Sequence, residues 1–481
     1  MRIILFLLVV SSSASAADSV SYLKNFPAHS YHKLNSGPRV VGRTESLWSQ
    51  QGNNLIFTED SAMKLMLFKK EQEIRTLLKV TTTTDLKIQN FDFSMTSMEA
   101  KIQVKGQRSG DKINLKVTQA GNTQSKDLQV QEPVLLSPLI RPFVLMKGLK
   151  NGASQSASLL EPSALTTIPL KIDLSSGADG IWSLNVNYLS QNLTSKMKES
   201  GELVYEKSDL AGMIVEATPV SAAEFQKLDL SQIEGTKEDL VDVARVQFPT
   251  IAKPRELKHL AVKISGVDLR TFELTRHRQK LENDILKITL ESGEPSSSPI
   301  QSLVGQKQYD RYLQGDASIQ VFESNIQKKA HEIVGKENDL WKRAQLVYRW
   351  VFENIQKLPT VSVPNALEVL KTLRGDCNEH AVLFTALARA AGVPTRMVVG
   401  LVYGERMASE SGFFYHAWVE VFTGKEWRSL DPTWGQNPVD ATHLAFVEGG
   451  LDQQVLVTSL MGRIHLSPAN QALLPKSTPT R

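Results

Sequence analysis

Residues Arg374 to Gly400 read RGDCNEHAVLFTALARAAGVPTRMVVG, and the reading of this stretch decides the fold of the C-terminal third. Gly375 permits a sharp turn. An apolar run follows, with Ala381, Phe384, Ala388 and Ala391 on one helical face and Leu383 and Leu387 widening it. Gly392 and Pro394 punctuate its end, after which RMVVG resumes as a strand. The spacing predicts turn, helix, strand, with Cys377 in the first turn of the helix.

Cys377 is the single cysteine of 481 residues. The N-terminus sharpens what that means. MRIILFLLVVSSSASAADSV has a basic residue at Arg2, an apolar run from Ile3 to Val10 and small residues at Ala14-Ser15-Ala16, the order of a secretory signal. The apolar run is too short to span a bilayer. Residues 1–16 are therefore expected to be a signal peptide cut after Ala16 or Ala17, leaving a periplasmic or secreted chain without a membrane span. Exported proteins use cysteines mostly as disulfides, and one cysteine cannot pair within its own chain. On the count alone a packed, inert thiol is the plainer reading.

Composition bounds the rest. Apolar residues make up 41% and charged residues 22%, which fits a folded protein. A net charge of +4 is too small to point to nucleic acid. No Gly-rich phosphate loop stands out, and one cysteine with scattered histidines lacks the paired spacing of zinc ligands, so no metal or cofactor is expected.

Along the chain, the hydrophobic period changes once. Ile113, Leu115 and Val117 alternate with polar residues, as do Leu170, Ile172 and Leu174. That period of two predicts antiparallel strands through a β-rich domain over 17–220. Leu135–Leu149 is expected to be a short helical excursion. Residues 221–302 read as a small β-rich domain, beginning with a helix or connector (Ser221–Ile233) and ending in a Pro/Ser-rich linker (Glu291–Ser302). From 303 to 481 helices come first: Leu340, Ala344, Val347, Val351 and Ile355 form one apolar stripe, widened by Tyr348 and Trp350. Strands follow, giving an α+β layout.

A helix start carries unpaired N–H groups and partial positive charge. Both favour the thiolate of Cys377, and its backbone N–H can face an oxyanion. A thiol nucleophile needs a base, and the base an orienter. His416 lies in FFYHAWVEVF and Asp431 in WRSLDPTWGQ, a separation that fits two neighbouring strands. His380 is near enough to tune the thiol but reads more simply as structural, as does His443. Asp376 and Glu379 suit the helix cap. Trp418 and Trp434 flank these strands and are candidates to wall a substrate groove, although core packing is the commoner role.

The three stretches ALEVLKTLRGDCNEHAVLFTALARAAGVPTRMVVG, HAWVEV and LDPTWGQ together resemble the core of the transglutaminase-like superfamily, in its microbial branch read as cysteine proteases. The resemblance covers about Asp316 to Leu466. It implies a papain-like arrangement of helices on an antiparallel sheet. It also implies a nucleophile at Cys377, a base at His416 and an orienter at Asp431. For the family's second oxyanion donor, a side chain upstream of the cysteine, Gln356 is the candidate. The implied activity is amide acyl transfer through an acyl-thioester to water, as in a protease or amidase, or to an amine, as in a transglutaminase. The substrate class is protein or peptide, and hydrolysis is favoured by the branch alone. The alternative is a non-catalytic envelope protein that binds through its β-rich half. Oligomeric state is not legible.

Overall fold

The computed structural model describes residues 20–97, 101–119, 121–189, 191–358, 363–405 and 409–469. The expected signal peptide lies outside them. Among the described residues, no helix is long and apolar enough to cross a membrane.

Fifteen of the described strands form one sheet running as a meander from His29 to Pro219. The strand His29–Ser36 pairs on one side with Arg39–Gln51 and on the other with the last strand, Met213–Pro219. Its neighbours are antiparallel throughout, except for the short Val134–Leu135 beside Ser154–Glu161. Alternation predicts the buried face correctly: Ile113, Leu115, Leu170, Ile172 and Leu174 all point inward. Residues from both ends of the strand order, such as Val104 and Ile172, share one apolar cluster with Phe143 and Val144. The sheet therefore curls around a common core. The helix Ile140–Lys147, inside the expected excursion, fills it.

Ser221–Ile233 is mostly connector. One helical turn, Ala222–Phe225, is closed by a capping box between Ser221 and Glu224. The small sheet expected within 221–302 takes its fourth strand, His465–Pro468, from the far end of the chain. Its buried residues Leu260, Val262, Leu286 and Ile288 join the same core as the C-terminal helices, so the boundary at 302 does not separate two cores. Glu291–Ser302 is irregular as expected but is not a free linker. Ser298 donates its N–H to the Thr423 carbonyl and accepts from Leu340, and Ser297 Oγ bonds Asp339 at 2.9 Å.

In the C-terminal region four antiparallel strands lie in the order Trp427–Leu430, Gly412–Phe422, Thr395–Gly404, Leu444–Glu448. Helix Leu340–Asn354 buries the expected stripe, Leu340, Ala344, Val347 and Val351, and also Trp341. Helix Cys377–Ala390 is buried on all sides from Glu379 to Ala388. Such a helix is anchored by the core around it, and its first turn is the end that reaches the site.

Candidate active site

The helix start is built by local chemistry. Asp376 is the N-cap and accepts from the Asn378 N–H at 2.9 Å, while Glu379 reaches back to accept from the Asp376 N–H at 3.0 Å. This reciprocal box satisfies donors that a helix start leaves open. Gly375 is required beside it, because a Cβ there would stand 2.2 Å from Glu379 Cβ. Upstream, Gln356–Lys357 pairs in parallel with Arg374–Gly375, which fixes the approach to Cys377.

His416 sits on Gly412–Phe422 opposite Gly400. It is 1% exposed, and its Nε2 lies 2.9 Å from Asp431 Oδ2. Nδ1 is the ring nitrogen left for a proton. Asp431 follows the strand Trp427–Leu430 and is fully buried. Its Oδ1 accepts from the N–H groups of Thr433 at 2.8 Å and Trp434 at 3.0 Å. Its Oδ2 also meets His443 Nε2 at 3.4 Å, and His443 Nδ1 lies 3.2 Å from Asp440. Arg255 pairs with Asp440. Burial alone would push Asp431 up. The charges and hydrogen bonds of His416 and His443 outweigh burial and hold it well below the carboxylate range. His443, read from sequence as structural, is thus tied to the same carboxylate. The spacing Asp440–His443 was the visible signal for it.

Cys377 and His416 line one cleft of about 540 Å3. Trp434 forms part of the wall, its ring tilted 37° against His416 at 4.9 Å between centroids, with the Arg255 guanidinium 4.5 Å over it. Trp418 does not reach the cleft. It is 1% exposed and packs behind His416 and His443. The Gln356 side chain is exposed and does not line the cleft; its neighbours Lys357 and Leu358 do. The chain uses Gln356 through its backbone N–H, donated to the Leu373 carbonyl. His380 is buried, with Nδ1 2.6 Å from the Asp376 carbonyl, which fits a structural role.

Sequence reasoning missed Tyr415, Asn378 and Thr433. Tyr415 donates its hydroxyl to Asn378 Oδ1 at 3.0 Å beside Cys377, leaving the amide N–H2 of Asn378 as a donor. The Thr433 hydroxyl lines the cleft, buried and without a hydrogen-bond partner. The thiol also departs from the expectation of a standing thiolate. Burial, then the Asp376 charge, push Cys377 well above its usual range, against a backbone hydrogen bond from Ala417 that favours the thiolate. The capping carboxylate thus opposes the helix dipole at the thiol.

The N-terminal sheet completes the cleft. Leu67 and Phe68, at the tip of one hairpin, and Ala211, at the tip of another, line it together with Leu240 and Met461. Phe68 and Lys69 have φ of 50° and 61°, a conformation that side chains other than glycine adopt at a cost. Asp239 accepts both their N–H groups and holds the turn.

His416, Asp431 and His443 place one ligand atom each within 4.8 Å of one another. Both imidazoles bond to the same Asp431 oxygen, which is a hydrogen-bonded relay.

Comparison with known proteins adds the family. The core of the transglutaminase-like superfamily matches residues 327–432, a span that includes Cys377, His416 and Asp431. The chain carries a transglutaminase-like domain. Residues of this chain are 26% identical over 143 positions to the kyphoscoliosis peptidase of Mus musculus, covering 28% of this chain and 22% of that protein. The chain thus spans only about a fifth of the length of that relative. An uncharacterized protein of Mycobacterium leprae is 26% identical over 234 residues, covering 46% of this chain and 80% of that one. Among solved structures, a β-barrel-like protein of unknown function from Brucella abortus aligns with 40% of this chain and 95% of its own, at 9% identity and a TM-score of 0.32. The transglutaminase-like domain accounts for the helices-then-sheet order of the C-terminal region, and the β-rich sheet precedes it.

Proposed function

We propose that the chain is an exported thiol enzyme in which Cys377, His416 and Asp431 act on amide bonds of protein or peptide substrates. The observation that carries this reading is the convergence of a helix-start cysteine and a carboxylate-held histidine on one cleft. Burial and the Asp376 charge disfavour the thiolate, so in this reading proton transfer accompanies attack. His416 Nδ1 takes the thiol proton as Sγ bonds to the carbonyl carbon, and the oxyanion forms beside the Cys377 N–H. The C–N bond then breaks, His416 returns the proton to the leaving amine, and an acyl-thioester remains. Water or a second amine releases the acyl group and restores the thiol. Asp431 orients the imidazole and stabilises its charged form. The apolar cleft wall (Leu67, Phe68, Leu240, Met461) suits a substrate with a large apolar side chain near the scissile bond.

Wild type, Cys377→Ala and His416→Ala are to be compared on a peptide library by mass spectrometry, with and without butylamine. Cleavage products lost in both variants support the reading. Butylamine incorporated in place of cleavage assigns transfer over hydrolysis. Products unchanged in Cys377→Ala overturn the enzyme altogether.

The raised thiol favours a second reading, a non-catalytic binding protein built on the same fold. The peptide library separates the two: neither cleavage nor butylamine incorporation by the wild type supports the binding protein.

A further inference from the structure

The β-rich sheet encloses a second cavity of about 200 Å3, closed at one end by the start of the helix Ile140–Lys147. Cross-strand register explains its lining. Ser195 faces Glu206 across one ladder; His32 faces Thr44, and Ser46 faces Glu59, across others. Directly opposed residues share a face, so polar rows interrupt an inner face that is apolar elsewhere.

Arg141 enters the same cavity from the helix. It donates to the Gly201 carbonyl at 2.6 Å and lies 5.4 Å over the Phe26 ring. Ser137 donates to Glu59 at 3.0 Å. Among the described residues no salt bridge joins Arg141 to Glu59 or Glu206, although each feels the other's charge. Arg141, Glu59 and Glu206 are each half-buried and line the cavity. Burial pushes both carboxyls up and the guanidinium down. Burial and then Arg141 push His32 down to about 4, which leaves it neutral at pH 7. The Ser195 hydroxyl, 1% exposed, sits beside Glu206 without a hydrogen bond of good geometry.

Buried charges are ordinarily paired. Here opposite charges face one another across an open space, and a cavity of about 150 Å3 already accommodates benzene. An anion alone would meet two carboxyls. A cation alone would meet Arg141. We propose that this cavity binds a small zwitterion of amino-acid or dipeptide size, its carboxylate on Arg141 and its ammonium on Glu59 and Glu206. Leu34, Leu184 and Val186 line the remainder and suit a short aliphatic side chain.

The full chain carrying Cys377→Ala, which keeps turnover out of the measurement, is to be titrated with alanine, alanyl-alanine, propionate and ethylamine. Propionate is alanine without its amine, and ethylamine is alanine without its carboxylate. The expected result is concentration-dependent thermal stabilisation, with matching calorimetric heat, by alanine or alanyl-alanine and not by the two single-charge compounds. Arg141→Met and Glu206→Gln should each weaken that binding by about 10- to 100-fold. Equal responses to all four compounds, or no response to any, would make this a water-filled structural cavity and overturn the proposal. The unsubstituted series decides even where Arg141→Met fails to fold, and its outcome is independent of whether Cys377 is a nucleophile.

Discussion

The two halves of the molecule bury charge in opposite ways. In the C-terminal sheet His416, Asp431, His443 and Asp440 touch in sequence, and Arg255 closes the row. In the N-terminal sheet Arg141, Glu59 and Glu206 surround a cavity without joining. A contiguous relay fixes the orientation of each ring and leaves His416 Nδ1 outside it. Charges held apart fix nothing among themselves and leave a place for something else. Under the two proposals the contrast is one of chemistry in one sheet and binding in the other.

The largest expected effect tests the chemistry. If the relay serves His416 as a base, His416→Ala should lower peptide cleavage by on the order of 10^4-fold, with the fold intact by circular dichroism. A loss under tenfold would mean that the relay is structural and that both sheets merely bury charge.

The next effect is on stability, and its sign should differ between the halves. Asp431 and Asp440 are held below the carboxylate range. Their contribution is full above the ordinary carboxylate pKa and is lost as pH falls toward their folded values. Glu59 and Glu206 are raised. Their contribution is full below the ordinary carboxylate pKa and is lost as pH rises through their folded values. Acidification from pH 4 to pH 2 should therefore loosen the C-terminal sheet first and leave the N-terminal sheet as protected as before, read by hydrogen exchange of each region. At pH 7, Asp431→Ala should destabilise by about 3–5 kcal/mol, as expected when buried partners lose their carboxylate, whereas Glu206→Gln should not destabilise in urea unfolding. Equal losses would erase the contrast.

Much of the C-terminal sheet was legible because its signals are local. A short continuous apolar run marks strands such as Thr395–Gly404, a helical stripe marks Leu340–Asn354, and three motifs in order bring Cys377, His416 and Asp431 into view. Gln356 misled because a side-chain role was sought where the fold uses a backbone N–H in a two-residue ladder. The closure of the N-terminal sheet was illegible for a different reason. It depends on Leu34 pairing with Ala217, a register between strands at opposite ends of the domain. For the same reason nothing in the sequence singles out Glu59 and Glu206. Only the register turns them inward.

A third effect joins the halves. Phe68 and Leu67 bring the N-terminal sheet into the cleft that Cys377 and His416 share. Phe68→Ala should lower kcat/KM for substrates with a large apolar side chain by roughly 10- to 200-fold, the range for a lost apolar pocket contact. Substrates with small side chains should change little. A uniform loss across side chains would instead point to collapse of the strained turn.

The smallest effect concerns the thiol itself and asks how completely the relay has tuned its surroundings. Asp376 does two things: it caps the helix, and its charge pushes Cys377 upward, second only to burial. Asparagine caps about as well as aspartate and carries no charge, so Asp376→Asn separates the two. The helix should stand, with unfolding unchanged within about 0.5 kcal/mol. The thiol pKa should fall, and alkylation by iodoacetamide at pH 8, which proceeds through the thiolate, should quicken about two- to tenfold. Peptide cleavage should move far less, because in the proposed reaction the proton passes to His416 during attack and the thiolate need not stand beforehand. If cleavage and alkylation rise together, a preformed thiolate is the reacting species, and the capping carboxylate acts as a brake on it. If neither moves, burial alone sets the thiol.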